Sequence, residues 1–284
     1  MALTRSRALA LLEAAGTSPK RARGQNFLVD PNTIRKIVRL ADVHAGDHVV
    51  EIGPGLGSLT FALAEAGAHV AAVEVDEAMV RVLRVEIADL ADEHPEVAAR
   101  ITLHHADALR ADWSTLLRGG DRWTLVANLP YNIATPLIAD LLDGVPQIGR
   151  MLVMVQTEVG ERLCAGPGQT AYGAVSVKVA SWAMARIVAS IPPTVFLPRP
   201  QVTSAMVELV RHAEPAIPDG VGRAELFSLV RAGFGQRRKM LRRSLAGLVL
   251  PEQFEAAEVA PTDRAEDLSL ADWVRLTRAA GMST

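Results

Sequence analysis

The sequence predicts an α/β fold, with a mostly parallel, Rossmann-like seven-stranded sheet flanked by helices and a small all-α domain at the C-terminus. Three observations carry this expectation. Short apolar runs alternate with longer helix-like segments from residue 49 onward. A glycine-rich turn, Glu51-Ile-Gly-Pro-Gly-Leu-Gly, follows the first such run and precedes a helical pattern. After residue 212 strand-like alternation stops, and from Arg223 the pattern is helical throughout.

The elements follow in order. A basic arm over 1–23 leads into Gly24-Gln-Asn-Phe-Leu-Val-Asp-Pro, where Asp30 or Asn32 caps a helix over 33–41 with Pro31 early in it. A strand over 49–52 is followed by a helix over 59–66, stopped by Gly67. A strand over 70–75 and a helix over 77–90 come next, then strands over 101–103 and 125–127. Pro136 sits in the first turn of a helix over 135–142, and a strand over 151–156 runs into a helix over 157–165. Beyond the loop 166–173 lie a helix over 174–182 and two strands over 185–191 and 205–210, separated by Pro192-Pro193 and Pro198-Arg-Pro200. The segment 212–220, with Pro215 and Pro218, reads as a linker. The expected division is therefore an arm (1–23), a catalytic domain (24–211) and a helical domain (212–284).

Composition narrows the function classes. Of 284 residues, 49% are hydrophobic but only 4% aromatic, which suits a soluble core of Ala, Val and Leu. A single cysteine, Cys164, excludes an internal disulfide, and the seven histidines have no ligand-like spacing, so no metal site is expected. No segment is long and apolar enough to span a bilayer, and the apolar stretch 8–12 is too short for a signal peptide. A cytoplasmic protein is expected, and a monomer, since no segment outside the two domains looks like a dimer seam. The net charge of −2 conceals asymmetry: residues 1–40 carry eight Lys/Arg against two acids, residues 231–243 six against none, and residues 65–112 eleven acids against four bases. One basic face can bind nucleic acid while the total stays near neutral.

The ends of successive strands carry the chemistry. Glycines at 53, 55 and 57 let the backbone turn and approach a ligand. Glu74 ends the second strand, 21 residues after Gly53, where a carboxylate accepts from both ribose hydroxyls. Dinucleotide oxidoreductases use a related spacing. The acid-x-Gly-x-Gly-x-Gly pattern, Asp107 after the third strand as an acceptor for an adenine amine, and Asn128 after the fourth favour S-adenosyl-L-methionine instead. In Asn128-Leu129-Pro130-Tyr131 an acceptor side chain, a proline that fixes its neighbours' carbonyls and an aromatic face suit a planar ring with an exocyclic amine.

Taken together, Gly24-Gln-Asn-Phe-Leu, Glu51-Ile-Gly-Pro-Gly-Leu-Gly, Glu74-Val-Asp, Asp107-Ala-Leu, Asn128-Leu-Pro-Tyr, Phe196-Leu-Pro-Arg-Pro-Gln-Val-Thr-Ser and Gly233-Phe-Gly-Gln-Arg-Arg-Lys make the chain resemble the ribosomal RNA adenine N6-dimethyltransferases, of the class I methyltransferase fold, over nearly its whole length. Within that family it is most similar to the bacterial small-subunit (16S) branch. The resemblance implies a methyl donor held by Asn26, Leu28, Gly53, Gly55, Glu74, Asp107 and Asn128. It implies a target adenine stacked between Tyr131 and Phe196; the residues themselves suggest that Asn128 and the carbonyl of Leu129 or Pro130 hold its amine. It also implies that the helical domain grips 16S rRNA within the 30S subunit or its precursor. One departure is Ala106, where the family commonly has Gly before the Asp. Lys20, Arg21 and Arg23, and Arg237, Arg238, Lys239, Arg242 and Arg243, are expected to contact phosphates. The second group is expected on one helix, where positions 238 and 242, and 239 and 243, share faces.

Three alternatives share parts of this pattern. A large-subunit rRNA adenine methyltransferase of the antibiotic-resistance type shares the catalytic motifs, although Gln236-Arg-Arg-Lys and the segment 261–280 favour the small-subunit branch. A non-catalytic RNA-binding assembly factor would not need the complete Asn128–Tyr131 tetrapeptide. A nicotinamide oxidoreductase would need a hydride-transfer residue set that the chain does not show.

Overall fold

The computed structural model describes residues 3–20 and 24–281. The chain clusters into two compact units, Met1–Gly160 with Arg186–Leu209, and Glu161–Ala185 with Val210–Thr284.

The first unit is built on a sheet of seven strands: β2 (His48–Ile52), β3 (His69–Glu74), β4 (Ile101–His105), β5 (Trp123–Asn128), β6 (Ile148–Gln156), β7 (Ala183–Ile191) and β9 (Ser204–Arg211). Their spatial order is β4-β3-β2-β5-β6-β9-β7. Strands β2 to β6 pair in parallel, with Val49 opposite Val70 and Ala127 opposite Val153. Such strands are covered on both faces and read as unbroken apolar runs, as Met151–Val155 does: all five residues are buried. The strand order reverses between β2 and β5, so the crevice outside their carboxyl ends is where an open α/β sheet binds its ligand.

The helix over 33–41 begins at Pro31, and Asp30 is its cap, accepting from Thr33 N at 2.7 Å. Ile34 and Ile37 lie on one face a turn apart and are buried. The end of this helix is tied to the sheet by Arg150, which donates to Leu40 O (2.8 Å) and to Ala41 O. The same guanidinium pairs with the buried Glu208, which also takes Arg186. Burial works against the Glu208 charge, yet the bonds from both arginines hold its carboxyl below its usual range.

Two features escape the sequence reading. The stretch taken as a basic arm contains a helix, Arg5–Ala14, capped by Thr4, whose Ala8, Leu11 and Leu12 pack with Met79, Val82 and Leu56. A two-stranded sheet joins β1 (Phe27–Leu28) to β8 (Phe196–Leu197) in antiparallel register, Leu28 opposite Phe196. Two-residue strands carry no periodicity to detect.

The second unit gathers Arg223–Gly235, Leu241–Ser244, Pro251–Ala256 and Leu270–Ala279 around Trp273. A Cβ at Gly233 would lie 2.6 Å from the Trp273 ring, so only glycine fits there. Residues 161–185 join this unit as well: Tyr172 donates to Leu268 O at 2.8 Å, and the Lys178 ammonium lies 4.4 Å from the centre of the Phe227 ring.

The expected continuous basic helix through 237–243 is broken. The helix stops at Gly235, residues 236–239 turn, and Met240 bridges to Arg264. Leu241 N and Arg242 N donate to Asp263 O (2.7 Å) and Pro261 O (3.0 Å) rather than back along a helix. The face-sharing of positions 238 with 242 and 239 with 243 therefore does not hold.

Candidate active site

Glu51, Gly53 and Gly55 at the end of β2, Glu74 at the end of β3, Asp107 after β4, and Asn128 and Pro130 at the end of β5 line one cleft together with Asn26 and Leu28. All seven expected donor-binding residues meet there.

Backbone geometry explains the glycines. Gly53, Gly55 and Gly57 have φ of +71°, +58° and +83°, which L-residues rarely adopt. At Gly55 a Cβ would also stand 2.9 Å from the Phe27 ring. The tight turn thus lets the β1 segment close over it.

Glu74 is buried and its carboxylate is fully oriented. Oε2 accepts from Gly55 N (3.1 Å), and Oε1 accepts from Val75 N (2.9 Å) and Asp76 N (2.8 Å). Burial raises its pKa and these backbone bonds oppose the rise. A carboxylate accepts about four bonds, so capacity remains for ribose hydroxyls. Asp107 Oδ1 accepts from Leu109 N at 3.0 Å, and Oδ2 lies 4.0 Å from the exposed Arg110 Nε, a loose ion pair that an amine can displace. Asn128 Nδ2 donates to Asn26 O at 2.8 Å. That bond assigns the amide's orientation and leaves Oδ1 as the acceptor.

The sequence motif includes Glu51 but does not reveal its state. The residue is buried, and burial pushes its carboxyl up to about 8, with the Thr60 hydroxyl (2.5 Å) pulling it down and the neighbouring Glu74 adding to the rise. Between its ordinary 4.5 and about 8 the folded chain holds a proton that the unfolded chain has released, so this group lowers stability as pH rises through that window. Comparing the melting curves of wild type and Glu51→Gln from pH 5 to 9 checks this: the wild type should lose stability relative to the variant up to about pH 8 and run parallel above it. A constant offset across the range would mean that Glu51 is ionised throughout.

Tyr131 sits outside the donor cleft. It faces an adjoining pocket that shares the wall Gly24–Asn26 and also includes Asn132, Gln156 and Arg199. Its hydroxyl is 2.7 Å from Ser204 Oγ, a partner in the Phe196–Ser204 motif that sequence alone does not single out. Burial raises the phenol's pKa, and the Ser204 bond opposes this.

Three expectations need correction. Phe196 does not line the pocket that contains Tyr131: it is fully buried in the core with Leu28, Ile191 and Met206, because β8 pairing turns its side chain inward. Arg237 is engaged within its own unit, donating to Glu266 (2.7 Å) and Thr170 O (2.6 Å), so it is not a free phosphate contact. Lys20 pairs with the buried Asp76 at 2.8 Å, and Gln25 Nε2 reaches the same oxygen at 3.1 Å. Arg21 and Arg23 lie outside the described residues. Arg238, Lys239, Arg242 and Arg243 are exposed.

A parallel sheet with its ligand cleft at the β2/β5 reversal, a glycine turn and acids at successive strand ends define a class I methyltransferase. The ribosomal RNA adenine dimethylase family model matches residues 16–280. The chain is 47% identical over 272 residues to the ribosomal RNA small subunit methyltransferase A of Leifsonia xyli subsp. xyli, covering 94% of each chain. It is 44% identical to that of Acidothermus cellulolyticus, covering 95% of this chain and 91% of the relative. Among solved structures it is similar to a dimethyladenosine transferase from Plasmodium falciparum (TM-score 0.76, 22% identity, 90% of this chain and 99% of that one). It is also similar to the 23S rRNA methyltransferase ErmE (TM-score 0.67, 25% identity, 90% and 100%). The chain belongs to the ribosomal RNA adenine dimethylase family and is an rRNA adenine dimethyltransferase.

Proposed function

We propose that this chain dimethylates N6 of two adjacent adenosines in the 3′-terminal hairpin of 16S rRNA. It acts as a cytoplasmic monomer on the 30S subunit or its precursor during ribosome assembly, with S-adenosyl-L-methionine as donor. The observation that carries the reading is Asn128, whose Oδ1 is freed as an acceptor by the bond from Nδ2 to Asn26 O, in the same cleft as Glu74 and Asp107. The donor set fits the cofactor: a three-times-anchored carboxylate for the ribose, a second carboxylate for the adenine amine, and glycines with no side chain in the way. The small-subunit assignment draws support from the names of the relatives.

When bound, S-adenosylmethionine supplies a methyl group on a sulfonium: the N6–C bond forms as the S–C bond breaks, and the electron pair stays on sulfur. The chain's own work is positional. Asn128 Oδ1 and the Leu129 or Pro130 carbonyl accept the two N6 hydrogens and draw the lone pair out of the ring. No side chain is needed as a strong base, since the methylated ammonium releases its proton readily. Tyr131 stacks on the base, and Arg238, Lys239, Arg242 and Arg243 meet phosphates, which gives affinity that falls with salt.

Tyr131→Ala is expected to lower methyl transfer by about tenfold or more, since stacking is worth roughly 1–3 kcal/mol per base. Binding of S-adenosylhomocysteine should stay unchanged, because Tyr131 does not line the donor cleft. Loss of that binding in calorimetry would place Tyr131 in the donor site.

The function is tested by transfer of labelled methyl groups to 30S subunits that lack this modification, beside modified 30S subunits and bare 23S rRNA. Label recovered as N6,N6-dimethyladenosine only from the unmodified 30S supports the reading. Label only in 23S rRNA assigns the chain to the large-subunit branch. No label anywhere, with donor binding intact, points to an assembly factor.

A further inference from the structure

Gln156 is the last residue of β6, the neighbour of β5. Asn128 stands opposite Met154 in that pairing, and Leu129 N donates to Met154 O at 3.1 Å, so Gln156 lies two residues beyond the partner of Asn128 at the carboxyl edge of the sheet. Its side chain is half-buried and lines the pocket that contains Tyr131. The pocket is also lined by Asn132 and Gln201, which lie on the loops 131–132 and 198–202 rather than at the end of the strand beside Asn128, and the two amides of its other wall are engaged. Gln25 holds Asp76 and the backbone N of Lys20, and Asn26 donates to Gly24 O at 3.1 Å. The Tyr131 ring is itself fixed through Ser204. No hydrogen bond to another described residue occupies the Gln156 amide.

A half-buried amide beside an aromatic platform, with no partner of its own, is suited to the edge of a base lying on that platform. Adenine presents, on either side of the N6 amine whose hydrogens go to Asn128 Oδ1 and a backbone carbonyl, a ring nitrogen that only accepts, and a glutamine N–H is a matched donor for it. A guanine would offer an oxygen in place of the N6 amine. We propose that Gln156 is a specificity-determining residue: its amide N–H donates to the ring nitrogen flanking N6 of the target adenine. It thereby sets the angle of the amine against Asn128, and at the Watson–Crick-side nitrogen it also rejects guanine, which carries a hydrogen there. This inference rests on the proposed substrate and adds to it the residue that reads the base.

The test uses the full chain and 30S particles assembled with ligated 16S rRNA carrying adenosine, 7-deazaadenosine or 1-deazaadenosine at the target positions. On adenosine, Gln156→Ala and Gln156→Met should each lower kcat/KM by about 5- to 150-fold, the range for one matched amide–base contact. Their melting curves and S-adenosylhomocysteine binding should match wild type. With wild-type enzyme, one of the two analogues should suffer a loss of the same size. On that analogue the Gln156 variants should show no further loss, because the contact is already gone. Three results would overturn the proposal: full activity of Gln156→Met, which would make the role one of filling space; losses that multiply on both analogues, which would mean that Gln156 does not touch the ring; or a loss confined to donor binding. If wild-type enzyme fails on the all-adenosine particle, the substrate reading itself fails and takes this proposal with it.

Discussion

Asn128→Ala is expected to reduce kcat for methyl transfer by about 10²–10³, measured with donor saturating, and to leave a folded protein. The size follows from what one pre-positioned polar contact contributes when it acts mainly in the transition state, about 2.7–4 kcal/mol. Asn128 qualifies because its orientation is settled before any ligand arrives. The Nδ2 bond to Asn26 O fixes the amide at 2.8 Å, so Oδ1 need not reorganise as the N6 lone pair localises. Asn128→Asp should be nearly as poor, since it replaces that donor with a carboxylate facing a carbonyl oxygen. Single-turnover rates with donor and particle both saturating isolate the chemical step. A variant that turned over within about threefold of wild type would remove Asn128 from the mechanism.

Phe196→Ala carries the second large effect, and it falls on folding. The side chain is fully buried among Leu28, Ile191 and Met206, and truncating such a phenylalanine costs about 3–5 kcal/mol. For a unit of this size the melting temperature should fall by roughly 6–20 °C. Phe196→Leu keeps most of the volume and should cost less than about 1.5 kcal/mol, with methyl transfer retained. The leucine variant decides between the two roles assigned to this residue. If it melts like wild type and binds donor, yet loses RNA methylation more than about tenfold, Phe196 reaches the base despite its burial.

The donor cleft was legible because its residues sit where two strong local signals meet. An apolar run ends, and a glycine turn, an acid or an amide follows. Gly53, Glu74, Asp107 and Asn128 each obey that rule, and the parallel sheet then brings them together. Phe196 broke the same logic. The resemblance placed it beside the target base, but a two-residue pairing with Leu28 sends the ring into the core, and pairing that short leaves no mark on sequence periodicity. Arg237 was misread for a related reason. A basic residue in a basic run looks free until a distant acid, Glu266, is seen to fold back onto it. The split of residues 161–185 into the second unit was likewise invisible, since it depends on contacts such as Tyr172 with Leu268, 96 residues away.

The anchoring of Glu74 bears on how the donor binds. Three backbone amides lock its two oxygens, so the side chain gives up its rotational freedom when the chain folds. An unanchored glutamate would surrender that freedom on each encounter, at about 0.5–1.5 kcal/mol per turnover of ligand. On the proposed role of Glu74, the free protein already presents its carboxylate in the orientation that the ribose needs. Exchange of spent for fresh donor then leaves the acceptor undisturbed, a useful property for an enzyme that needs a new methyl group for each of several successive transfers.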